Sequence, residues 1–502
     1  FAEIRGYVAW GLAALALLAA SCAEEVNTSY VEKERLALRE WMELNRPELL
    51  ENYQEEGGYW VDVLEPGSDE AAPIRDTACW VRFTFTGRNL GGDIVLTRNE
   101  TDARLVGSYT PFTRYVPYYK YYAGDTNTAL LEGTYLSMHN RLKLGAAYAE
   151  ARGLEREVEL RCGSKVTLYM PSTVVGDGGV TGSGGYEGQS GYALKSGRPF
   201  VATLEITDTV YNPLRREGVD VDDFARSNGG LKPVKPRAAA AVRAGEGDYP
   251  IYDPNNPYYD GFAWRNAADS IPQVYINVIY KPTERFRYPE IYASQYEPYS
   301  DFERLEQAIC DTLVNRFGPY DGPQKLKSDS VTLNGTAKIW YIARFLDGFV
   351  LDSNIPGVRG LVFGEKEAKG SVESYTPSRG GMIEAFYYSI PVLRYGQWAA
   401  ILTTSTNAYG AAGKAGTTST TSTGGSNYSD LLNYYNYMQA YYGANGYYNG
   451  MYNDYYNNYM FGLYNNYNVP NHSDKVTTTT VQTEVPSFTP LLFQIYIEPK
   501  AE

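Results

Sequence analysis

Asp352 and Tyr409 are the two side chains whose types and positions could carry chemistry in this sequence of 502 residues. Asp352 ends the apolar segment 349–351, and Tyr409 lies in the loop 407–413 that follows a predicted strand. A carboxylate accepts hydrogen bonds and a phenol can donate one, so the two side chains could hold a polar group of a ligand. Aspartate followed by serine is also common in turns, which leaves a structural role open for Asp352.

The residue types on which most catalytic and metal sites depend are scarce. Histidine occurs only as His139 and His472, which argues against histidine-based catalysis and against most zinc sites. Apart from Cys22 near the amino terminus, three scattered cysteines form neither a disulfide framework nor a Cys-x-x-Cys motif: Cys79, Cys162 and Cys310. We therefore expect neither a metal ion nor a cofactor.

The segment 337–353 is predicted to position Asp352. Apolar residues alternate with other residues from Ala337 to Phe345, as they do in a half-buried strand. A Leu-Asp-Gly turn at 346–348 then leads the chain into the short segment that ends in Asp-Ser.

The segment 382–413 is predicted to position Tyr409. It opens as a short helix, because apolar residues recur at helical spacing: Met382, Ile383, Phe386, Ile390 and Leu393. A Tyr-Gly-Gln turn leads into a strand at 398–403, and Tyr409 lies in the loop that follows. Downstream, the segment 485–493 leads into a last strand that ends near Ile497.

The order of these segments resembles the FKBP-type peptidyl-prolyl cis-trans isomerases. The matching pieces are the Leu-Asp-Gly turn, Asp-Ser at 352–353, the short helix, Ala-Tyr-Gly at 408–410 and the Pro-x-x-x-x-Leu-x-Phe motif at 486–493. The resemblance covers about half of the chain directly. It implies an α+β fold with two FKBP-like domains, each an antiparallel sheet wrapped on a short helix, with long loop insertions.

The resemblance also implies a binding site in the second domain. Six residues would line an apolar cup: Tyr341, Leu351, Met382, Ile383, Phe386 and Phe493. Asp352 and Tyr409 would be the catalytic residues at its polar rim, with the Tyr409 hydroxyl donating to the substrate carbonyl and the N–H of Ile383 as a second donor. Leu351 stands where the family usually has phenylalanine, and Phe386 where its strongest isomerases have tryptophan. The cup would survive these changes with lower activity.

The amino-terminal segment resembles the export signal of a lipoprotein. Arg5 precedes an apolar run at 8–20 that is too short to span a bilayer comfortably, and Leu-Ala-Ala-Ser-Cys follows at 18–22. Cleavage before Cys22 and acylation of its thiol would anchor the chain to the outer membrane, facing either the periplasm or the cell surface. The alternative is an ordinary signal peptide that contains a cysteine.

Composition and the resemblance divide the rest of the chain into four parts. Residues 23–56 are predicted to form a helix that packs on the first domain, and 208–272 a connector rich in proline, glycine and alanine. Residues 57–207 and 273–502 are predicted to be the two FKBP-like domains. An insertion in the second domain, 414–483, is rich first in Gly, Ser and Thr and then in Tyr and Asn; disorder and docking onto another surface are both open for it.

The first domain is predicted to have lost the binding site. Leu96 or Thr97 falls where the acidic residue is expected, and Val175-Gly176 falls where Ala-Tyr is expected. Ala202 stands where the closing strand carries phenylalanine. We therefore expect a proline-binding pocket in the second domain only.

The acidic composition limits the partners of the protein. Its 59 acidic residues outnumber its 45 basic ones and give a formal net charge of −14, which argues against nucleic acid. One candidate function is a prolyl isomerase or proline-binding chaperone for proline-containing segments of exported proteins. A second is a non-catalytic scaffold subunit of an outer-membrane assembly with a barrel protein. A third is an adhesin that binds glycans or other surfaces through its tyrosines.

Overall fold

The structure is a computed structural model of the chain, which describes residues 30–107, 109, 113–125, 127, 130–174, 198–234, 274–278, 280–296, 301–319, 329–364, 370–423 and 476–500. It divides into two units. Unit 1 contains the described residues of Phe1–Tyr109 and Tyr115–Arg216, and unit 2 contains those of Thr110–Arg114, Glu217–Pro250 and Arg265–Glu502.

Some predicted features lie outside the described residues: Cys22 with its signal segment, Val175-Gly176, His472 and the Tyr/Asn-rich tract at 428–467. Among the helices that are described, none combines the length and the apolar composition needed to cross a membrane.

Unit 1 begins with a helix that packs on a seven-stranded sheet. Leu38 and Met42, one helical turn apart, are fully buried in the core of the unit, as the sequence predicts for the amino-terminal helix. Its helices are α1 (Tyr30–Asn45), α2 (Glu100–Leu105), α3 (Glu132–His139) and α4 (Ala146–Arg152). Its strands are β1 (Tyr53–Gln54), β2 (Tyr59–Pro66), β3 (Cys79–Arg88), β4 (Ile94–Thr97), β5 (Tyr118–Tyr122), β6 (Leu142–Lys143), β7 (Glu157–Val158), β8 (Ser164–Met170) and β9 (Phe200–Val210).

Unit 2 also has a seven-stranded sheet, and a separate two-stranded stem. Its helices are α5 (Pro213–Ser227), which belongs to unit 2 from Glu217 onward, α6 (Phe302–Phe317), α7 (Pro356–Phe363) and α8 (Glu384–Ser389). Its strands are β10 (Lys232–Pro233), β11 (Val274–Asn277), β12 (Ala337–Arg344), β13 (Val350–Ser353), β14 (Glu373–Tyr375), β15 (Trp398–Thr403), β16 (Thr417–Thr423), β17 (Val476–Gln482) and β18 (Leu491–Ile497).

The large sheets of the two units have the same strand order. In unit 1 the order is β1-β2-β8-β9-β3-β4, and β5 also pairs with β3. In unit 2 it is β10-β11-β15-β18-β12-β13, and β14 also pairs with β12. Neighbouring strands in both sheets are antiparallel. The chain is therefore an α+β protein in which one sheet topology occurs twice.

The two large sheets also match in the pairing of individual residues between strands. A bulge follows Gly87 in the pairing of β3 with β4, and a bulge follows Ala343 in the pairing of β12 with β13. At these positions Leu96 is the partner of Gly87, and Asp352 is the partner of Ala343. Of the two candidates, Leu96 and Thr97, it is therefore Leu96 that lies at the position of Asp352 in unit 1.

The outer faces of the two sheets differ although their register is the same. In unit 1 the outward-facing residues of the central strands are polar and half-buried: Thr84, Thr86, Lys165, Thr167, Thr203 and Glu205. The residues at the same positions in unit 2 are mostly large and apolar, and all are buried: Trp340, Ile342, Trp398, Ala400, Gln494 and Tyr496.

Helix α6 explains this difference because it covers the outer face of unit 2. Asp301 caps its amino terminus by accepting a hydrogen bond from a backbone N–H in the first turn. Leu305, Ile309 and Leu313, which the sequence places on one face, are buried in a cluster with Trp340 of β12. Burying side chains of this size contributes roughly 1.5–3 kcal/mol each.

Two segments differ from their predicted structure. The sequence predicts a single helix from about residue 130 to 150, but the structure has two: α3 ends at His139, and β6 separates it from α4. The N–H of Gly145, which precedes α4, donates instead to the buried side chain of Asn52 at 2.8 Å. The range 208–272, predicted to be a connector, contains the end of β9, helix α5 and β10, since α5 buries an apolar side against the sheet of unit 2.

Candidate functional site

The predicted site residues of unit 2 lie together against the inner face of its sheet. Leu351, Phe386 and Phe493 are buried members of one apolar cluster. The others are partly buried and pack against the same cluster: Tyr341, Met382, Ile383 and Tyr409. The structure thus brings all six predicted cup residues and one rim residue into contact with a single core.

Aromatic rings within this cluster contact one another edge to face. Phe386 of α8 and Phe493 of β18 meet edge to face, with ring centroids 5.1 Å apart and planes at 72°. Tyr341 meets Phe493 in the same manner at 6.4 Å, and Tyr375 meets Phe386 at 6.2 Å. Pairs in this arrangement contribute about 0.5–1.5 kcal/mol beyond their buried area. The rings therefore hold one another in defined orientations.

Strands β12 and β13 place Tyr341 beside Asp352. The Tyr341 hydroxyl donates to Oδ2 of Asp352 at 2.8 Å, and Oδ1 of Asp352 accepts from the N–H of Ser353 at 2.8 Å. Burial raises the pKa of the Tyr341 phenol well above its ordinary value, and the charge and hydrogen bond of Asp352 raise it further. Tyr341 therefore stays protonated near neutral pH and remains a donor to Asp352.

Arg359 of α7 also adjoins this pair, although it is not among the predicted site residues. Its Nη1 lies 3.4 Å from Oδ1 of Asp352 and donates to the carbonyl oxygen of Ser353 at 2.7 Å. Pro356 begins α7, which fits proline's preference for the first turn of a helix. Pro356 is the feature of the sequence that could have indicated this contact. It marks the start of a helix directly after β13, and Arg359 lies near the beginning of that helix.

The loop that carries Tyr409 is held by its own backbone. A short 3-10 helix, Ser405–Asn407, follows β15, and the carbonyl oxygen of Ser405 accepts from the N–H groups of Ala408 at 2.7 Å and Gly410 at 2.8 Å. These bonds fix the chain on both sides of Tyr409. None of the described residues forms a hydrogen bond with the Tyr409 hydroxyl, so this group can donate to a ligand.

The insertion begins next to Tyr409. Lys414 and Val485 exchange two backbone hydrogen bonds of 2.8 Å, and β16 and β17 then pair as an antiparallel stem. Nζ of Lys414 lies 5.3 Å from the centroid of the Tyr409 ring, within cation–π distance. Gly413 has φ of +64°, and a Cβ at this position would lie 2.4 Å from the carbonyl oxygen of Val485. Only glycine fits where the stem joins the loop.

Ile383, the second predicted donor, precedes the first turn of α8. Its carbonyl oxygen accepts from the N–H of Phe386 at 3.0 Å. Its own N–H has no hydrogen-bond acceptor among the described residues. The side chain of Ile383 packs against the cup, so this N–H and the apolar wall lie on the same residue.

Unit 1 carries alanine where unit 2 carries Phe493. Ala202 of β9 lies opposite Gly87 of β3, as Phe493 of β18 lies opposite Ala343 of β12. Leu96 lies at the position of Asp352. Unit 1 therefore lacks both the carboxylate and the phenylalanine that unit 2 has at these two positions.

Phe200 fills the corresponding space in unit 1. It is fully buried and stacks on Phe85, with ring centroids 6.0 Å apart. A Cβ on Gly87 would lie 2.1 Å from the Phe200 ring, so this ring rests directly on the strand backbone. Apolar packing thus replaces a polar-rimmed cup in unit 1.

The chemistry available at the site of unit 2 is that of apolar walls and hydrogen-bond donors. The described residues contain no group of three or more His, Cys, Asp or Glu side chains that could hold a metal ion. Tyr409 and Ile383 pack against the cluster that contains the rings of Phe386 and Phe493, and their phenol and N–H are the predicted donors. Such a site can exclude water from a ligand and polarise one of its carbonyl groups.

Comparisons with known proteins give weak matches. No family model and no curated protein matches the chain. The three FKBP domains of wheat FKBP73 align with 8% identity over 89% of this chain and 95% of that chain, at a TM-score of 0.19. A peptidyl-prolyl cis-trans isomerase from Pseudomonas syringae pv. tomato aligns with 10% identity over 58% and 94%, at 0.21. FkpA from Escherichia coli aligns with 13% identity over 41% and 71%, at 0.22.

TM-scores this low do not by themselves establish a shared fold. In unit 2 the hydrogen-bonded pair of Tyr341 and Asp352 adjoins the edge-to-face rings of Phe386 and Phe493, and Tyr409 packs against the same cluster.

Proposed function

We propose that unit 2 is an FKBP-like peptidyl-prolyl cis-trans isomerase or proline-binding chaperone that acts on proline-containing segments of exported proteins. The observation that carries the proposal is the hydrogen-bonded pair of Tyr341 and Asp352 beside the cup of Phe386 and Phe493. The cup would hold the proline ring, and Tyr409 would donate to the substrate carbonyl.

The reaction fits a site of this kind because it needs no nucleophile. Rotation about an Xaa–Pro bond has a barrier of about 18–20 kcal/mol, since the imide is conjugated. A site that removes water from the imide and binds its twisted form more tightly than its planar forms lowers this barrier. The apolar walls would remove the water, and the Tyr409 hydroxyl would stabilise the carbonyl oxygen of the twisted form.

The full chain is expected to accelerate cis/trans exchange of a short Xaa-Pro peptide, measured by exchange NMR. Tyr409→Phe removes a donor to the twisted carbonyl and is expected to lower kcat/KM roughly ten- to a hundredfold. Adding Asp352→Ala, which removes the acceptor of the Tyr341 hydroxyl, is expected to abolish the acceleration. Tyr211→Phe, at an exposed tyrosine of unit 1, is the matched control and is expected to leave the rate unchanged.

The same assay tests the insertion. Residues 417–482, which include both stem strands, can be replaced by a short Gly/Ser linker beyond the Lys414–Val485 bridge. Faster exchange in this variant would show that the insertion restricts access to Tyr409. If no folded variant accelerates exchange or binds the peptide, the isomerase and chaperone functions are both refuted.

A non-catalytic scaffold subunit of an outer-membrane assembly is the second candidate. The packing around Phe200 favours it, because unit 1 repeats the sheet of unit 2 with apolar side chains in place of the cup. Co-purification with an integral barrel protein, combined with no effect on peptide exchange, would favour the scaffold over the isomerase.

We also propose that a lipid on Cys22 anchors the mature chain to the outer membrane, facing the periplasm or the cell surface. The support is the sequence Leu-Ala-Ala-Ser-Cys after an apolar run. The protein is expected to incorporate labelled palmitate in cells, and Cys22→Ser is expected to lose the label. Cys162→Ser, at a partly exposed cysteine, is the control and is expected to keep it. Equal labelling of the two variants would contradict the proposal.

A further inference from the structure

Helix α5 carries a buried carboxylate that contacts the loop of Tyr409. Glu217 is only 2% exposed, and Ser405, its partner, is 1% exposed. Oε1 of Glu217 accepts from the backbone N–H of Ser405, and Oε2 accepts from its Oγ at 2.7 Å. Both carboxylate oxygens therefore accept hydrogen bonds from Ser405, two residues after the end of β15.

Ser405 connects Glu217 to Tyr409. Its N–H and hydroxyl donate to Glu217, while its carbonyl oxygen accepts from the N–H groups of Ala408 and Gly410. The residues on either side of Tyr409 are thus bonded to a residue that α5 holds in place. A shift of Ser405 would move the backbone that carries the Tyr409 hydroxyl.

The same contact occurs in unit 1. Glu34 accepts from the N–H and Oγ of Ser172, each at 2.6 Å. Glu34 and Glu217 are each the fifth residue of their helix, and Ser172 and Ser405 each follow the equivalent strand by two residues. The contact is therefore a repeated part of this architecture, but only in unit 2 does it adjoin a described loop that carries a tyrosine of the cup.

The ionised form of Glu217 is poorly stabilised by its surroundings. Burial raises its pKa to about 7, the hydrogen bonds from Ser405 lower it, and Asp220 on the same helix raises it. Tyr275, on the strand beneath α5, is hydrogen-bonded to Asp222 rather than to Glu217. The folded state thus binds this proton more tightly than the unfolded chain does. The resulting stability is fully present below pH about 4.5 and is lost as the pH rises through about 7.

We propose that Glu217 is a positioning residue for the site of unit 2, which places the Tyr409 hydroxyl at the rim of the cup through Ser405. The inference rests on the proposed function to the extent that Tyr409 acts on a bound Xaa-Pro segment. It extends the functional unit beyond the predicted domain boundary, because α5 lies within the range 208–272.

The proposal is tested in the full chain with Glu217→Ala, Tyr409→Phe and the double variant. Glu217→Ala is expected to weaken affinity for the Xaa-Pro peptide roughly tenfold, because both hydrogen bonds that hold Ser405 are lost. Because Glu217 acts through Tyr409, the double variant is expected to bind no more weakly than the weaker single variant. Glu217→Gln, which keeps an acceptor for the Ser405 N–H, is expected to restore most of the affinity.

Hydrogen–deuterium exchange of residues 404–413 provides a readout that is independent of function. Glu217→Ala is expected to speed exchange in this loop at pH 7, and the matched variant Glu34→Ala is expected to leave it unchanged. Additive losses of affinity, or faster exchange throughout unit 2, would overturn the positioning role in favour of a general loss of stability. Failure of the parent chain to bind the peptide would refute the proposed function. Unchanged exchange in the loop of Glu217→Ala would separately refute the positioning role of Glu217.

Discussion

Arg344→Met is expected to lower the free energy of unfolding of unit 2 by about 3–5 kcal/mol. Arg344 is fully buried, and its Nη1 lies 2.7 Å from Oε1 of Glu306 on α6. Its Nε also donates to Oε1 of Gln494 at 2.7 Å, and its Nη1 to the carbonyl oxygen of Gly348 at 3.0 Å. Removing the guanidinium leaves the carboxylate of Glu306, on the buried side of α6, without its cation.

Urea unfolding, followed by hydrogen–deuterium exchange on peptides from each unit, measures this loss in unit 2 alone. Arg344→Met combined with Glu306→Leu is expected to recover most of the stability, because it removes both buried charges. Arg88→Met is the matched control at the same register position of unit 1, where the side chain is half-buried; it is expected to change stability by less than about 1 kcal/mol. A double variant less stable than Arg344→Met would contradict this account of the ion pair.

Phe493→Ala is expected to destabilise unit 2 by about 3–5 kcal/mol and to remove its affinity for an Xaa-Pro peptide. The ring contacts both Phe386 and Tyr341 edge to face, so its loss leaves a cavity and releases two walls of the cup. Peptide titration at a temperature where the variant remains folded separates the loss of binding from the loss of stability. Phe493→Leu, which fills part of the cavity, is expected to be more stable than Phe493→Ala and still to bind weakly.

Phe200→Ala in unit 1 is the matched control for Phe493→Ala. Phe200 is equally embedded in a core and stacks on Phe85, so its deletion is expected to cost a similar free energy of unfolding. Because Phe200 occupies a filled space, its deletion is expected to leave peptide affinity unchanged. Loss of affinity in Phe200→Ala, or its retention in folded Phe493→Ala, would contradict the assignment of the cup to unit 2.

Much of unit 2 could be predicted because its signals are local. The strand predicted at 398–403 has the bounds that its apolar pattern indicates. The prediction of an α+β chain built on antiparallel sheets is confirmed. The six residues predicted to form the cup pack on one core, and their role in binding stays a prediction.

The contacts that hold the site could not be predicted, because their partners lie far apart in sequence. Glu217 and Ser405 are separated by 188 residues, and neither local pattern indicates the other. Arg344 lies in an apolar strand, where only the position of α6 reveals a buried partner. Helix α5 was missed because proline, glycine and alanine dominate the range 208–272 around it.

The cover that α6 forms over one sheet has an evolutionary consequence. At Trp340 and Tyr496 of unit 2 most substitutions disturb a packed interior, whereas at Thr84 and Glu205, the same positions in unit 1, most are tolerated. Among relatives, the outer strand positions of unit 2 should change more slowly than their counterparts in unit 1.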